Sequence, residues 1–338
     1  MKIDLLDESI MALISEMETS AFHFLDLKDR AKGSISNKGG YLYRQWREGN
    51  KWKYERIEGN FKTQVARLND LKNQYRRERE RVRKLNKILI KAGFFAVSSL
   101  PEQILSLLSS KRVISEHGIL VGSFAFFAYQ TALGFSLGKS LTRTSDIDLV
   151  RPPEMQLAVR QINLANILDR LKIPYKPDGP GGRAVRYVFQ DGFKVEVLYP
   201  HIKGRPKGIV SPKHSGFADI GAQELRFLNP LTVDPIQTVL VGKKGPIPVI
   251  VPDPARFLLH KLAVSSLRKQ PSKIVKDIAQ AEIIAHAMNE RAMLPDVKEA
   301  MTNFRGRKIE KYLASGIERL KARNQKLGQI LRDYFQQV

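Results

Sequence analysis

The 338-residue sequence contains no cysteine, which excludes disulfide bonds, thiolate zinc sites and a cysteine nucleophile. Its six histidines show no metal-ligand spacing, and no Gly-x-x-x-x-Gly-Lys phosphate-binding loop occurs. The first residues include Asp4, Asp7 and Glu8, so no basic segment leads into an apolar stretch as in a signal peptide. We therefore expect a cytoplasmic protein without disulfide crosslinks.

Long hydrophobic runs are scarce as well. Residues 119–138 form a stretch of 20 residues without a charge, which meets the length criterion for a membrane span. Polar residues such as Ser123, Gln130 and Thr131 interrupt it. The pattern favours a buried strand followed by a buried helix, so we expect no membrane partner.

Positive charge is abundant. Lys and Arg total 57 against 34 acidic residues, a formal net charge of +23. Residues 31–95 alone carry 18 basic and six acidic residues, so about half of the excess lies in this stretch. A field of this sign attracts polyanions, of which nucleic acid is the usual one and an anionic membrane surface is the other candidate.

Composition and hydrophobic pattern divide the chain into three predicted units: residues 1–112, 113–251 and 252–338. The first is a basic helical region with a β-hairpin, the second alternates short apolar strands with helices, and the third is helical. Together they predict an α+β fold with a mixed sheet flanked by helices. The final residues, 306–337, are predicted to form one amphipathic helix.

Within the basic region, the pattern predicts a loop at 33–40, a hairpin at about 41–57 and a long helix at about 61–92. The hairpin alternates aromatic and basic residues, a combination that suits single-stranded RNA. The aromatics alone are slightly better explained by a small hydrophobic core, whereas the total charge favours a polyanion. The candidate nucleic-acid-binding residues are Arg44, Arg47, Lys51, Arg76, Arg77 and Arg81.

Two carboxylates define the candidate catalytic strand. Alternate side chains of a strand share a face, so Asp146 and Asp148 point one way while Ile147 points to the core. Two acids so placed repel each other unless a cation lies between them, and magnesium prefers such oxygen ligands. In the apolar strand around Val195, Glu196 would complete a three-carboxylate site if the two strands are neighbours. Such a site can hold two metal ions.

A strand that ends at Gly122-Ser123 and opens a helix presents free backbone N–H groups to a phosphate. Together with Asp146-Ile147-Asp148 and Glu196, in this order, it resembles the polymerase-β-like nucleotidyltransferase superfamily. The stretch from Arg143 to Asp148 is similar to CCA-adding enzymes and to minimal or abortive-infection-type nucleotidyltransferases. The resemblance covers roughly residues 113 to 280.

The resemblance implies two Mg²⁺ ions, with Mn²⁺ as an alternative, held by Asp146, Asp148 and Glu196. It also implies that an NTP is bound, with Gly122, Ser123, Lys261, Arg143 and Lys276 as the nucleotide-binding residues. A lysine from a helical domain often contacts the triphosphate in this superfamily, and Lys261 is our first candidate for it. Residues 134–142 would be an inserted loop.

The sequence thus predicts transfer of a nucleotide from an NTP to an RNA end, with release of pyrophosphate. The charge and the resemblance make tRNA the natural acceptor, and a toxin or defence role fits the abortive-infection branch. One alternative is transfer to a protein or small-molecule hydroxyl, which leaves the charge unexplained. Another is an inactive nucleic-acid-binding protein, against which the three carboxylates argue. The NTP, the acceptor and the oligomeric state do not follow from the sequence.

Overall fold

Strands and helices alternate along residues 4–48, 51–137, 144–152, 161–201 and 208–338, which the computed structural model describes. The strands are β1 (Asp4–Leu5), β2 (Ser34–Lys38), β3 (Tyr41–Glu48), β4 (Lys51–Ile57), β5 (Ile119–Val121), β6 (Phe135–Ser136), β7 (Asp146–Val150), β8 (Tyr175–Asp178), β9 (Arg186–Phe189), β10 (Lys194–Pro200), β11 (Ile209–Val210), β12 (Ala222–Leu225), β13 (Ile236–Val241) and β14 (Pro246–Val251). The helices are α1 (Glu8–Arg30), α2 (Phe61–Lys91), α3 (Ser99–Ser110), α4 (Gly122–Leu133), α5 (Leu164–Leu168), α6 (Pro212–Ser215), α7 (Pro254–Ser265), α8 (Pro271–Glu290), α9 (Leu294–Met301), α10 (Arg307–Arg323) and α11 (Gln325–Gln337).

A mixed sheet forms the centre of the molecule, in the order β11-β12-β10-β7-β5. Strand β10 runs parallel to β7 on one edge. On its other edge, β10 pairs antiparallel with β9 along its first half and parallel with β12 along its end. Strand β8 extends β9, and helix α4 packs against β5 and β7. The α+β prediction, a mixed sheet flanked by helices, is confirmed.

The described part of the uncharged stretch, residues 119–137, contains the buried strand β5 and the buried helix α4, as the sequence predicts, followed by the short strand β6. Helix α4 is buried on nearly all sides because it lies between the sheet, the β13–β14 hairpin and α8. Within the described ranges, no helix combines the length and apolar character that crossing a membrane requires.

The basic N-terminal region packs directly on the rest of the chain. Ile14 and Met17 of α1, with Leu89 of α2, share a buried apolar cluster with Val239 and Val241 of β13. The buried side-chain amide of Asn86 on α2 also donates a hydrogen bond to the carbonyl oxygen of Gly242, at 2.7 Å. Helices α1 and α2 are therefore docked on the β13–β14 hairpin.

The hairpin and the long helix of the basic region are confirmed, but the loop predicted at 33–40 is wrong. Ser34–Lys38 forms the edge strand β2, paired antiparallel with β3, so the hairpin is part of a three-stranded sheet. Gly39 and Gly40, with φ angles of 59° and 82°, make the two-residue turn that joins β2 to β3. Polar residues are tolerated in β2 because the strand lies at an edge and buries little.

The C-terminal helices begin where the sequence predicts, since Asp253 caps α7 by accepting from the Arg256 N–H at 3.0 Å. The prediction of one helix over 306–337 is wrong, however. The helix is interrupted at Asn324, and the two resulting helices, α10 and α11, pack against each other. Asn324 caps α11 through the Leu327 N–H. One apolar cluster extends from Val97 through the C-terminal helices, so the predicted units share a core.

Candidate functional site

The register of β7 and β10 brings the three predicted carboxylates to one face. Asp148 lies opposite Glu196 in the parallel pair, and Asp146 precedes them on the same face. Ile147 and Val195, which alternate with these acids, are fully buried on the other face. A shift of one residue would bury the acids and expose these apolar side chains, so packing fixes the register.

Gly122 stands directly against one of these acids. Strand β5 ends at Val121, which is paired with Asp148, and the chain then turns into α4 at Gly122 with a φ of 69°. A Cβ atom at position 122 would overlap the Asp148 carboxylate. Glycine is therefore required both for its backbone conformation and for the close approach. No described side chain caps α4, so its first N–H groups are available to an anion.

Ser123 links this turn to the C-terminal helices. Its buried hydroxyl accepts a hydrogen bond from the Lys276 ammonium on α8, at 2.9 Å. Burial lowers the pKa of Lys276 from its usual value, and the nearby positive charge of Lys261 lowers it further. The sequence-predicted pair Ser123 and Lys276 is thus brought together.

Lys261 is held by a carboxylate that we did not assign from the sequence. Its ammonium lies 3.0 Å from Asp277, and both side chains are nearly buried. The second oxygen of Asp277 is 2.9 Å from the Arg268 guanidinium. Burial alone would raise the pKa of Asp277, but the two cations outweigh burial and lower it. Asp277 therefore stays ionised and fixes two cations beside the carboxylate face.

A cavity of about 280 Å³ lies between the sheet face and helices α7 and α8. The sheet side contributes Gly122, Ser123 and the three carboxylates. The polar residues of the helix side are His260, Lys261, Arg268, Lys273, Lys276 and Asp277. The apolar residues are Val121, Leu198, Leu225, Leu228, Leu231, Phe257 and Val264. A negative wall thus faces a positive one across a space that suits a phosphate-bearing ligand.

The negative wall is electrostatically unfavourable without a cation. Burial, and then the charges of Asp146 and Glu196, raise the pKa of Asp148 to about 8. On the opposite wall, burial followed by the charge of Lys261 lowers the pKa of His260 to about 3, so its imidazole is neutral at physiological pH. A cation is therefore favoured beside the carboxylates, whereas the His260 side chain contributes no charge to the opposite wall.

Whether the acids fit a metal ion depends on where their oxygens point. Glu196 is engaged by the Arg186 guanidinium at 3.1 Å, and Arg186 is also 2.5 Å from Asp178. Among the described side chains, no three carboxylate or imidazole groups are gathered closely enough to hold a metal ion. The shared face and hard oxygen donors of Asp146 and Asp148 fit a divalent cation, whereas Glu196 is directed to Arg186. The three-ligand assignment stays a prediction.

The sequence-predicted residues of the cavity lie together, except for Arg143, which directly follows the predicted insert in the sequence and lies outside the described residues. Sequence reasoning missed Arg268, Lys273 and Asp277. The basic run from Arg268 to Lys276, which begins in the link between α7 and α8 and continues into the first turns of α8, was the available signal for the two cations. The pairing of Asp277 with Lys261 follows from helix packing, for which the sequence carries no short-range pattern.

The candidate nucleic-acid-binding residues separate into two groups. Arg44 donates to the carbonyl oxygens of residues 29, 30 and 32, and so closes the end of α1. Arg81 is 2.8 Å from Glu16. The others are exposed and form no ion pair within the described part of the chain: Arg47, Lys51, Arg76 and Arg77.

The aromatics of the N-terminal sheet do not form the small core that the sequence slightly favoured. Tyr41, Trp52 and Tyr54 are about half exposed, at 51%, 55% and 50%. A basic side chain covers two of these rings, with Arg56 4.0 Å from Tyr41 and Lys38 4.5 Å from Tyr54. These three side chains therefore keep about half of their surface open to a ligand.

Comparison with known proteins gives one family. The sequence pattern of a family described as "Nucleotidyltransferase" matches residues 101–305, more than half of the chain. The match includes both walls of the cavity and leaves the basic N-terminal region outside. No curated protein and no solved structure matched the chain.

Proposed function

The chain belongs to this nucleotidyltransferase family, and from that premise we propose that it transfers a nucleotide from an NTP to an RNA end. The acceptor hydroxyl oxygen forms a bond to the α-phosphorus, the α–β phosphoanhydride bond breaks, and pyrophosphate leaves. The proton of the hydroxyl passes to solvent. The observation that carries the proposal is the cavity in which three carboxylates face a wall of cations.

In this proposal Asp146, Asp148 and Glu196 are the catalytic residues and would hold two Mg²⁺ ions, or Mn²⁺ in their place. The bound metal would neutralise the triphosphate and lower the pKa of the attacking hydroxyl. Glu196 takes part when its carboxylate leaves Arg186, its partner in this structure. Burial, and then repulsion by Asp146 and Glu196, raise the pKa of Asp148, and this repulsion supports cation binding at the carboxylate face.

The positive wall would position the triphosphate. Lys261 is fixed by Asp277, and Lys276 by Ser123, so two ammonium groups are oriented before the ligand arrives. The open N-terminus of α4, beginning at Gly122, offers backbone N–H donors to the same anion. Arg143 keeps its predicted nucleotide-binding role, as the residue that leads towards β7.

RNA is the proposed acceptor because the charge excess has no other evident use. The +23 net charge and the exposed cations and rings of the N-terminal sheet support a polyanionic acceptor. The resemblance to CCA-adding enzymes makes tRNA the natural choice within that class. A toxin role would follow if expression arrested growth and Asp148→Ala removed the arrest.

The decisive experiment is to incubate the protein with Mg²⁺, each labelled NTP in turn and total cellular RNA. We expect label on RNA from one or more NTPs, and none with Asp148→Ala. The labelled species then identifies the acceptor.

Three outcomes would contradict this proposal or its metal assignment. Label on a protein or a small hydroxyl compound, with none on RNA, would favour that alternative acceptor. No label on any acceptor, together with tight RNA binding, would favour an inactive nucleic-acid-binding protein. Equal activity of the Asp148→Ala variant would overturn the metal assignment itself.

A further inference from the structure

A second cavity, of about 660 Å³, lies behind one wall of the candidate active site. The wall is the chain segment 225–231. Its three leucines line the candidate active site, whereas Arg226 and Phe227 line the second cavity. The two spaces are therefore separated by the thickness of a single chain segment.

The second cavity also lies further along a catalytic strand. His201, which lines it, follows directly after β10, the strand that carries Glu196. Five residues of extended chain, at about 3.3 Å each, cover roughly 16 Å. The backbone N–H of His201 donates to the carbonyl oxygen of Leu225, which joins this strand end to the dividing wall. A few nucleotides of a single strand could span this separation.

Cations line this second cavity, which we name the cationic cavity after Arg226, Arg305, Arg307 and Lys308. All four side chains are exposed. Arg305 is 3.8 Å from a carboxylate of α10, Glu310, which also accepts from the backbone N–H of residue 306. In the part of the chain that the structure describes, the other three form no ion pair. The positive charge of the cavity is thus largely unneutralised.

We propose that the cationic cavity binds backbone phosphates of the RNA strand whose end enters the candidate active site. The inference rests on the proposed transfer to RNA, and it adds the place where the acceptor is held. The cavity is larger than one phosphate requires, and arginine guanidinium groups bind phosphate oxygens through paired hydrogen bonds. Phe227 and Asn229 supply an apolar surface and an amide beside these charges.

The alternation along the dividing wall supports this assignment. A strand held by Arg226 on one side of the segment needs to pass only Leu225, which is 37% exposed, to reach the carboxylates. Apolar wall residues offer little to a phosphate but can contact a sugar or base. The geometry therefore places the phosphate contacts upstream of the reactive end of the RNA strand, and the apolar contacts at that end.

The test compares two double variants that change the net charge equally. Arg307→Glu with Lys308→Glu alters the cationic cavity, whereas Lys298→Glu with Lys326→Glu alters exposed lysines of α9 and α11 outside it. Binding of a labelled short single-stranded RNA is measured by anisotropy over a range of salt, and KM is measured for NTP and for RNA.

We expect the cavity variant to bind RNA at least about tenfold more weakly. The slope of log affinity against log salt should become shallower by about 1.4, since each lost single-strand phosphate contact contributes about 0.7. The control pair should change RNA affinity by less than about threefold, because distant exposed charges are screened. KM for NTP should stay the same in both variants.

Equal weakening by both pairs would overturn the inference, because the effect would then come from overall charge alone. If the cavity variant lost NTP binding as strongly as RNA binding, the inference would also be overturned, since the cavity would then belong to the mononucleotide site. If the wild type labels RNA and the cavity variant behaves as the control does, only this inference fails. If no RNA is labelled, the transfer proposal fails first.

Discussion

The cations of the candidate active site and those of the cationic cavity are held in different ways. In the active site, Lys261 lies 3.0 Å from Asp277, and both side chains are nearly buried. In the cationic cavity, Arg307 and Lys308 are exposed and have no carboxylate partner among the described residues. A buried pair fixes a charge in one position at the cost of desolvation, whereas an exposed charge moves and is screened by salt.

If both sites bind as we propose, this difference predicts two kinds of phosphate binding in one molecule. A fixed ammonium suits the reaction centre, where an error of about 1 Å in the position of a phosphate lowers the rate strongly. Unpaired, solvated cations suit a long polyanion, whose many phosphates release counterions when they bind. The N-terminal region repeats the contrast on one helix, where Arg81 is paired with Glu16 and Arg77 forms no ion pair with the described residues.

The largest effect is expected from the carboxylates that the paired cations face. Asp148→Ala should lower nucleotide transfer by at least about a thousandfold, because the loss of a metal ligand costs several kcal/mol in the transition state. RNA binding through the exposed cations should be unchanged. If Asp148→Ala lost nucleotide transfer and RNA binding to the same extent, the distinction between the two sites would be wrong.

The same substitution should not destabilise the metal-free protein. The pKa of Asp148 in the folded chain, about 8, lies above the value of about 3.9 expected when unfolded. The folded state therefore binds the extra proton between these values, and stability falls as pH rises from about 4 to 8. Without a divalent cation, the melting temperature of Asp148→Ala relative to the wild type should therefore be higher at pH 8 than at pH 5. Mg²⁺ should raise the melting temperature of the wild type only.

The next largest effect separates a paired cation from an unpaired one directly. Lys261→Met leaves Asp277 buried with Arg268 as its remaining partner, and should lower the free energy of unfolding by about 3 kcal/mol. Lys308→Met, in the cationic cavity, should change it by less than about 0.5 kcal/mol. Urea unfolding of both variants measures the difference.

The double variant Lys261→Met with Asp277→Asn is the control for this pair. It removes the buried charge that the single variant leaves behind, so part of the lost stability should return. Equal stability of the Lys261→Met and Lys308→Met variants would show that pairing does not distinguish the two sites.

An intermediate effect concerns the exposed aromatics of the N-terminal sheet. Trp52→Ala should weaken RNA binding by about 1 kcal/mol, roughly fivefold, because a stacked base loses its ring. Stability should change by less than about 0.5 kcal/mol, since the ring is more than half exposed. Phe61→Ala, an exposed ring at the start of α2, is the matched control. A large loss of stability in Trp52→Ala would restore the core explanation.

The sequence predicted the carboxylate face well because its pattern is local. Alternation in β7 and β10 assigns Asp146, Asp148 and Glu196 to a face, and only the pairing of two apolar strands is needed to join them. The pairing of Lys261 with Asp277 could not be predicted in this way. It depends on how α7 packs against α8, which the spacing of the two residues does not determine.

Edges and exposed layers were harder to predict than buried strands. Strand β2 has few apolar residues, and its pairing with β3 stabilises it without burial. The Gly39-Gly40 turn was a usable hairpin signal, but the surrounding polar residues favoured a loop. The exposure of Trp52 could not be predicted for a related reason. The alternation of residues in a hairpin does not show whether other parts of the chain cover one of its faces.

The smallest effect tests the contrast within one helix. Arg81 of α2 is 2.8 Å from Glu16, whereas Arg77, one turn earlier, is exposed and forms no ion pair with the described residues. Arg77→Ala should make the salt dependence of RNA binding shallower by about 0.7, the contribution of one single-strand phosphate. Arg81→Ala should leave that slope nearly unchanged and lower the free energy of unfolding by less than about 1 kcal/mol, as for an exposed ion pair. Anisotropy titrations over salt and urea unfolding measure both quantities. Equal slopes for the two variants would show that Arg81 exchanges Glu16 for phosphate, and pairing in the free protein would then not predict which cations bind RNA.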